Sequence, residues 1–117
     1  MKIVLILNAL IEGLVGLLFI FSPQSAPHLV NADVISLYLA GMYGFAALTI
    51  SFFSVLLLLG IHHHELLVNG LLTLTVFHVG ILASQLISSV DSGMSTPPAI
   101  LHGVFFILFL IFYLRER

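Results

Sequence analysis

The stretch LNALIEGLVGLL, residues Leu7–Leu18, is mostly apolar but carries a carboxylate, Glu12, near its middle. It belongs to a longer apolar run from Ile3 to Phe21, and about 20 such residues are needed to cross the hydrocarbon of a bilayer. A charged glutamate is costly there because hydrocarbon does not solvate it. The stretch therefore predicts a transmembrane helix whose carboxyl group needs a proton, a partner or a wet cavity.

The whole chain has the composition of a membrane protein. Of its 117 residues, 61% are hydrophobic and 7% are charged, and the mean hydropathy is +1.26. A chain this small could not bury so much apolar surface in water. The absence of cysteine excludes disulfides and thiolate metal sites. With three Lys and Arg residues in total, the chain also lacks the basic surface that nucleic acid requires.

Three further apolar runs follow the first, and the four prolines lie at the edges of the runs. Asn31 or Asp33 is a candidate N-cap for the second helix, and Ser95 or Thr96 for the fourth. The predicted fold class is all-α: a four-transmembrane-helix antiparallel bundle that forms a single membrane domain over residues 1–117. The predicted helices cover about residues 3–21, 34–59, 65–88 and 98–114.

The few basic residues predict an orientation. Lys2 lies at one terminus, with Arg115 and Arg117 at the other, and four crossings place both termini on one side. The positive-inside rule makes that side cytoplasmic. A signal peptide is the alternative for the first run, but Glu12 interrupts it and no A-x-A site precedes Pro27. We therefore expect an uncleaved first helix and an integral protein of the bacterial cytoplasmic (inner) membrane.

Four polar side chains fall at a similar depth, one in each predicted span. By helix rise, Tyr43, His78 and His102 lie within about 5 Å of the level of Glu12. Ionisable groups inside a membrane commonly serve function. Glu12, His78 and His102 are therefore candidate proton-transfer residues, and Tyr43 is a candidate for orienting a ligand. The alternative is structural, because histidines can join helices through hydrogen bonds worth about 0.6 kcal/mol each.

Helical periodicity adds further polar residues to these faces. Asn8 and Gly16 lie one turn on either side of Glu12, and this stripe is the predicted inward face of the first helix. Gln85 follows His78 by two turns and returns to almost the same angle. The candidate ligand-binding residues are Glu12, Tyr43, His78, His102, Asn8 and Gln85.

Metal ligation is a further alternative for the deep polar residues. His78 and His102 are candidate ligands of one b-type haem, and Glu12 could join them on a non-haem ion. The HHHE stretch, residues 62–65, is interpreted differently. Neighbouring residues on a helix point about 100° apart, so this stretch predicts an interfacial turn rather than a metal site.

Packing motifs complete the pattern. Small residues recur at every fourth position in Ala9-x-x-x-Gly13, Ala40-x-x-x-Gly44 and Gly80-x-x-x-Ser84-x-x-x-Ser88, which predicts close helix approach at these places. The phenylalanines of HGVFFILFLIFY, residues 102–113, are expected to face lipid or neighbouring helices.

Four short segments carry a family resemblance: LNALIEGLVGLLFIFSP in the first helix, LAGMYGFAAL in the second, FHVGIL in the third and LHGVFF in the fourth. Together they resemble the small four-helix integral membrane proteins grouped around DoxX, especially a DoxX-like family of about this length. The resemblance implies a membrane subunit associated with a quinone-linked sulfur oxidoreductase. DoxX proteins often carry a basic residue in the first helix, where this chain has Glu12.

These observations leave several functions open. The first is an accessory or scaffolding subunit of a larger membrane complex. The second is a membrane-embedded site for a quinone- or isoprenoid-like ligand, with redox or proton-transfer chemistry at Glu12, His78 and His102. A His-ligated haem or metal site is the third, and a proton or solute pathway is disfavoured. The expected partners are the lipid bilayer and other membrane subunits or copies of the chain, with no nucleic acid.

Overall fold

The computed structural model describes residues 1–26, 29–92 and 97–117, and the regular structure there is entirely helical. Four long helices are present, as the sequence predicts. The third begins one residue earlier and ends four residues later than expected, and the predicted α4 cap, Ser95 or Thr96, lies outside the described residues. The helices are α1 (Lys2–Phe21), α2 (Val34–Leu59), α3 (His64–Ser92) and α4 (Pro97–Glu116), with a short 3-10 turn at Pro23–Ser25.

Each helix is long and apolar enough to cross a membrane. A helix of 20 residues, the length of α1, reaches about 30 Å, which is the thickness of the hydrocarbon. Large apolar side chains are exposed along all four helices, including Leu14, Phe52, Val76 and Ile107. Apolar surface on this scale is unfavourable in water but not against lipid. The four helices therefore indicate an integral membrane protein.

The chain divides into two compact units, Lys2–Leu59 and Gly60–Arg117, and each contains one pair of helices. In the first unit, α1 packs against α2. The Ser51 hydroxyl donates a hydrogen bond of 2.6 Å to the carbonyl oxygen of Ala9. Further along α1, the ring of Phe19 meets the ring of Tyr43, with centroids 5.4 Å apart. Residues later in α1 therefore contact residues earlier in α2.

The backbones of α1 and α2 approach closely at one pair of glycines. A Cβ atom added to Gly16 would lie 2.8 Å from the carbonyl oxygen of Gly44, and one added to Gly44 would lie 2.9 Å from that of Gly16. No larger residue fits without a shift of backbone.

The small-residue motif also predicted close helix approach at Gly80, and this prediction is wrong, because a Cβ atom there would meet no described atom within 4 Å. Gly80 lies on an exposed face of α3, so no described residue packs against it.

In the second unit, α3 packs against α4. His64 Nε2 donates a hydrogen bond of 2.8 Å to the carbonyl oxygen of Glu116, which joins the start of α3 to the end of α4. The preceding residues form a turn in which the His63 N–H donates to the carbonyl oxygen of Gly60 at 2.8 Å. His62, His63 and His64 are exposed. The HHHE stretch is thus a turn that enters α3, as predicted.

Asp33 begins α2 as its N-cap, one of the two predicted candidates. Its Oδ1 accepts a hydrogen bond of 2.7 Å from the backbone N–H of Ser36. This bond satisfies one of the amide groups that a helix leaves unpaired in its first turn. The Ser36 backbone and hydroxyl both hydrogen-bond to the carboxylate and lower the pKa of Asp33 below its ordinary value of 3.8.

Candidate functional site

A pair of buried histidines joins α3 to α4. His78 is 0% exposed and His102 is 3% exposed, and their Nδ1 atoms lie 2.9 Å apart. A neutral imidazole carries one N–H and one lone pair. A hydrogen bond between two Nδ1 atoms therefore requires opposite tautomers, one ring with its proton on Nδ1 and the other with its proton on Nε2.

Phenylalanine rings surround the histidine pair. Phe105 and Phe109 stack on the His78 ring, with centroid distances of 5.1 and 5.5 Å and interplanar angles of 27° and 22°. Phe77 turns its edge to both imidazoles, at 5.2 Å from His78 and 6.3 Å from His102. The sequence predicts that Phe105 and Phe109 face lipid or neighbouring helices and makes no prediction for Phe77. Their contacts help to fix the plane of the His78 ring. A group that hydrogen-bonds to a ring nitrogen of His78 must lie near the plane of that ring, because the nitrogen's lone pair or N–H lies in the plane.

One nitrogen of the pair remains open to a ligand. His78 Nε2 is buried and has no hydrogen-bond partner within the described residues. A buried polar atom without a partner costs about 1–3 kcal/mol, so such atoms usually meet water or a ligand. Because His78 Nδ1 is held by His102, Nε2 is the only ring nitrogen of His78 that can bind another group.

A second open polar atom lies on the same face of α3. Gln85 is partly buried, and its Oε1 is buried without a hydrogen-bond partner in the part of the chain that the structure describes. Seven residues separate it from His78, which is nearly two full turns, so the two side chains leave the helix at almost the same angle. This relation agrees with the stripe predicted from the sequence.

The distance between the two Nδ1 atoms distinguishes a metal ion bound between them from a shared proton. Two nitrogen ligands on opposite sides of one metal ion stand about 4 Å apart, because each bond is about 2.0–2.1 Å long. The Nδ1 atoms of His78 and His102 are 2.9 Å apart and lie among stacked phenylalanines. This arrangement does not fit bis-histidine ligation of a haem through these atoms. It fits a shared proton.

The first unit holds the other predicted polar residues. The buried face of α1 consists of Leu5, Asn8, Glu12 and Gly16, which confirms the predicted inward stripe. Glu12 is 1% exposed. The Tyr43 side chain lies within electrostatic range of the Glu12 carboxyl group. Glu12 and Tyr43 thus belong to the first unit, and His78 and His102 belong to the second.

Asn8 has a hydrogen-bond partner that the sequence analysis did not predict. Asn8 Nδ2 donates a hydrogen bond of 2.9 Å to the hydroxyl oxygen of Ser54, and both residues are 0% exposed. The Ser54 hydroxyl in turn donates to the carbonyl oxygen of Ile50 at 2.9 Å. A signal was present, because Ser51 and Ser54 are the two serines in the second half of the apolar α2 and are one turn apart. Asn8 thus serves the α1–α2 contact.

Comparison of the chain with known proteins identified no relative. No family model matches the chain, and neither a curated protein nor a solved structure matches it.

Proposed function

We propose that the chain is an integral membrane protein whose histidine pair binds the polar head of a quinone- or isoprenoid-like ligand and exchanges a proton with it. One observation carries the proposal. His78 Nε2 is fully buried and open within the described residues, while His78 Nδ1 is committed to His102. A buried Nε2 without a partner is costly, and the polar head of a ligand would supply the missing hydrogen bond.

The tautomers of the pair explain how it can handle a proton. If His78 carries its proton on Nδ1, its Nε2 accepts a hydrogen bond from a ligand hydroxyl. When that hydroxyl gives its proton to Nε2, the proton on Nδ1 can pass to His102 Nδ1 across the 2.9 Å contact. His78 is then neutral again and the charge rests on His102. In the opposite tautomer, Nε2–H donates to a ligand carbonyl oxygen.

The proposed topology follows from the helix contacts and the charges. Within each unit the contacts run in opposite order along the two helices, from Ala9–Ser51 to Phe19–Tyr43 in one and from His64–Glu116 to His78–His102 in the other. These orders support antiparallel spans. Lys2, Arg115 and Arg117 lie at the termini, and the positive-inside rule supports a cytoplasmic side for both ends. The membrane that we propose is the bacterial inner membrane.

An accessory subunit of a larger complex is the second candidate. The exposed faces of the helices favour it, because they carry large apolar side chains that either lipid or another membrane protein can cover. The resemblance to DoxX proteins points to such a subunit beside a quinone-linked enzyme. The two candidates differ in whether the chain itself holds a ligand.

The test is ligand capture by the purified protein. The chain is extracted gently from its own membrane, its bound small molecules are identified by mass spectrometry, and a short-chain benzoquinol is titrated in nanodiscs. We expect wild-type protein to bind, and His78→Asn to bind roughly tenfold more weakly, the effect of losing about 1.4 kcal/mol. The control His63→Asn alters an exposed histidine and leaves binding unchanged.

Two results oppose the proposal. Absence of any bound ligand together with a stoichiometric large partner selects the accessory subunit. Ligand binding that His78→Asn leaves unchanged, in protein whose helical circular dichroism matches wild type, removes the histidine pair from the site.

A further inference from the structure

We propose that the ligand is held at two points, His78 Nε2 and Gln85 Oε1, and is a six-membered ring with oxygen atoms at para positions. The inference rests on the proposed function, because it identifies the chemical class of the ligand at the same site. Two observations support it: both atoms are buried without a hydrogen-bond partner within the described residues, and both leave the same face of α3.

The spacing along α3 sets the size of the ligand. Seven residues of α-helix rise about 10 Å. A hydrogen bond at each end takes up about 2.8 Å, so about 5 Å remains between the two polar atoms of the ligand. This is the separation of two oxygen atoms across a six-membered ring. An isoprenoid alcohol, which has one hydroxyl, can satisfy only one of the two contacts.

Both contacts can reverse their hydrogen-bonding role. His78 Nε2 accepts or donates according to the tautomer of the histidine pair. Gln85 presents its oxygen as acceptor in the structure, and a half-turn of its amide presents an N–H donor instead. The same two side chains thus match the two hydroxyls of a para-quinol and the two carbonyls of the corresponding quinone. No electron transfer is needed for this matching.

The edge of His78 favours a flat ligand. The lone pair or N–H at Nε2 lies in the plane of the imidazole, so a group that hydrogen-bonds there lies near this plane, beside the Phe105 and Phe109 rings that stack on His78. A hydroxyl or carbonyl oxygen attached to a flat ring can lie in this plane with its ring beyond it. In the proposed pose, the second oxygen of the ring lies on the side away from His78 and bonds to Gln85.

The test compares three probes that carry the same short isoprenoid tail: a para-quinol, its meta isomer and a monophenol. Binding to the full chain in nanodiscs is measured for wild type, Gln85→Leu, Gln85→Glu and the control Asn69→Leu, which alters an exposed amide on the same helix. We expect wild type to bind the para-quinol roughly tenfold more tightly than the other two. Gln85→Leu removes this preference without weakening the monophenol, and Asn69→Leu changes nothing.

Gln85→Glu sharpens the test when the pH is raised until the introduced carboxyl group is ionised, because a carboxylate can accept a hydrogen bond but cannot donate one. It should retain the para-quinol and lose affinity for the corresponding quinone. If all three probes bind wild type equally and His78→Asn weakens each of them, the two-point inference is wrong and the proposed function stands. If no probe binds wild type, both are wrong. If Gln85→Leu weakens all probes alike, Gln85 acts on the fold and the two-point inference fails.

Discussion

The Nδ1 atoms of His78 and His102 face each other at 2.9 Å, so each ring commits one nitrogen to the other. Hydrocarbon offers no hydrogen bonds, and two neutral imidazoles that share a proton satisfy each other at little cost. The arrangement also joins α3 to α4. Its structural and chemical roles can therefore be separated by experiment.

The histidine contact should appear as a coupling energy. His78→Ala, His102→Ala and the double variant form a cycle in which each single change leaves a buried nitrogen without its partner. We expect a coupling of about 1 kcal/mol between them. Equilibrium unfolding in mixed detergent micelles measures it. His63→Ala with His78→Ala is the control pair and should be additive, while a coupling of zero for His78 and His102 would disprove the contact.

The glycine pair predicts a difference between two alanine substitutions in α2. Gly44→Ala places a Cβ atom 2.9 Å from the carbonyl oxygen of Gly16, and overpacking of this kind costs about 1–3 kcal/mol. Gly41→Ala places its Cβ atom where no described atom lies within 4 Å, so the better helix propensity of alanine should leave stability unchanged or raise it by up to about 1 kcal/mol. Unfolding in mixed micelles compares the two, and equal effects would contradict the close approach.

The bond between Asn8 and Ser54 should contribute modestly to stability. Hydrogen bonds between membrane helices are worth about 0.6 kcal/mol on average and about 1.7 kcal/mol at most. A cycle of Asn8→Ala and Ser54→Ala should give a coupling in this range, measured by the same unfolding assay. Thr49→Ala is a matched control, because the exposed Thr49 hydroxyl donates its hydrogen bond within α2, to the carbonyl oxygen of Phe45. It should show no coupling to Asn8→Ala.

Asp33 predicts a pH dependence at the start of α2. Its hydrogen bonds hold the pKa below 3.8, so the carboxylate stabilises the folded chain above the ordinary carboxyl pKa. This contribution is lost as the pH falls through the lowered pKa. Carbon NMR of the labelled carboxyl group should give a midpoint below 3.8, and Ser36→Ala should move it upwards. A midpoint at or above 3.8 in the wild-type protein would show that the cap is absent.

The sequence predicts the helices and two of their faces because those depend on local physics. Span length follows from the thickness of the bilayer, and the stripe of Asn8, Glu12 and Gly16 follows from the helical period. His78 and His102 were expected at one depth for the same reason. These inferences need no knowledge of which helices touch.

The contacts between helices were harder to predict. In lipid, apolar residues lie on every face of a helix, so hydropathy does not show which side meets a neighbour. The predicted close approach is found at Gly44, which meets Gly16, but not at Gly80. Asn8 meets Ser54, for which the sequence made no prediction. The stacking of Phe109 on His78 depends on the register of α3 and α4, which no local pattern specifies.

The most direct test is solid-state nitrogen NMR of the histidine-labelled protein in lipid bilayers, with and without a short-chain para-quinol. We predict one Nδ1–H and one unprotonated Nδ1 in the His78–His102 pair, coupled to each other, and a change at His78 Nε2 when the quinol is added. His78→Asn and His102→Asn assign the signals. Two histidines that both carry their proton on Nε2 and show no coupling, or a His78 Nε2 signal that the quinol leaves unchanged, would contradict the proton-sharing ligand site.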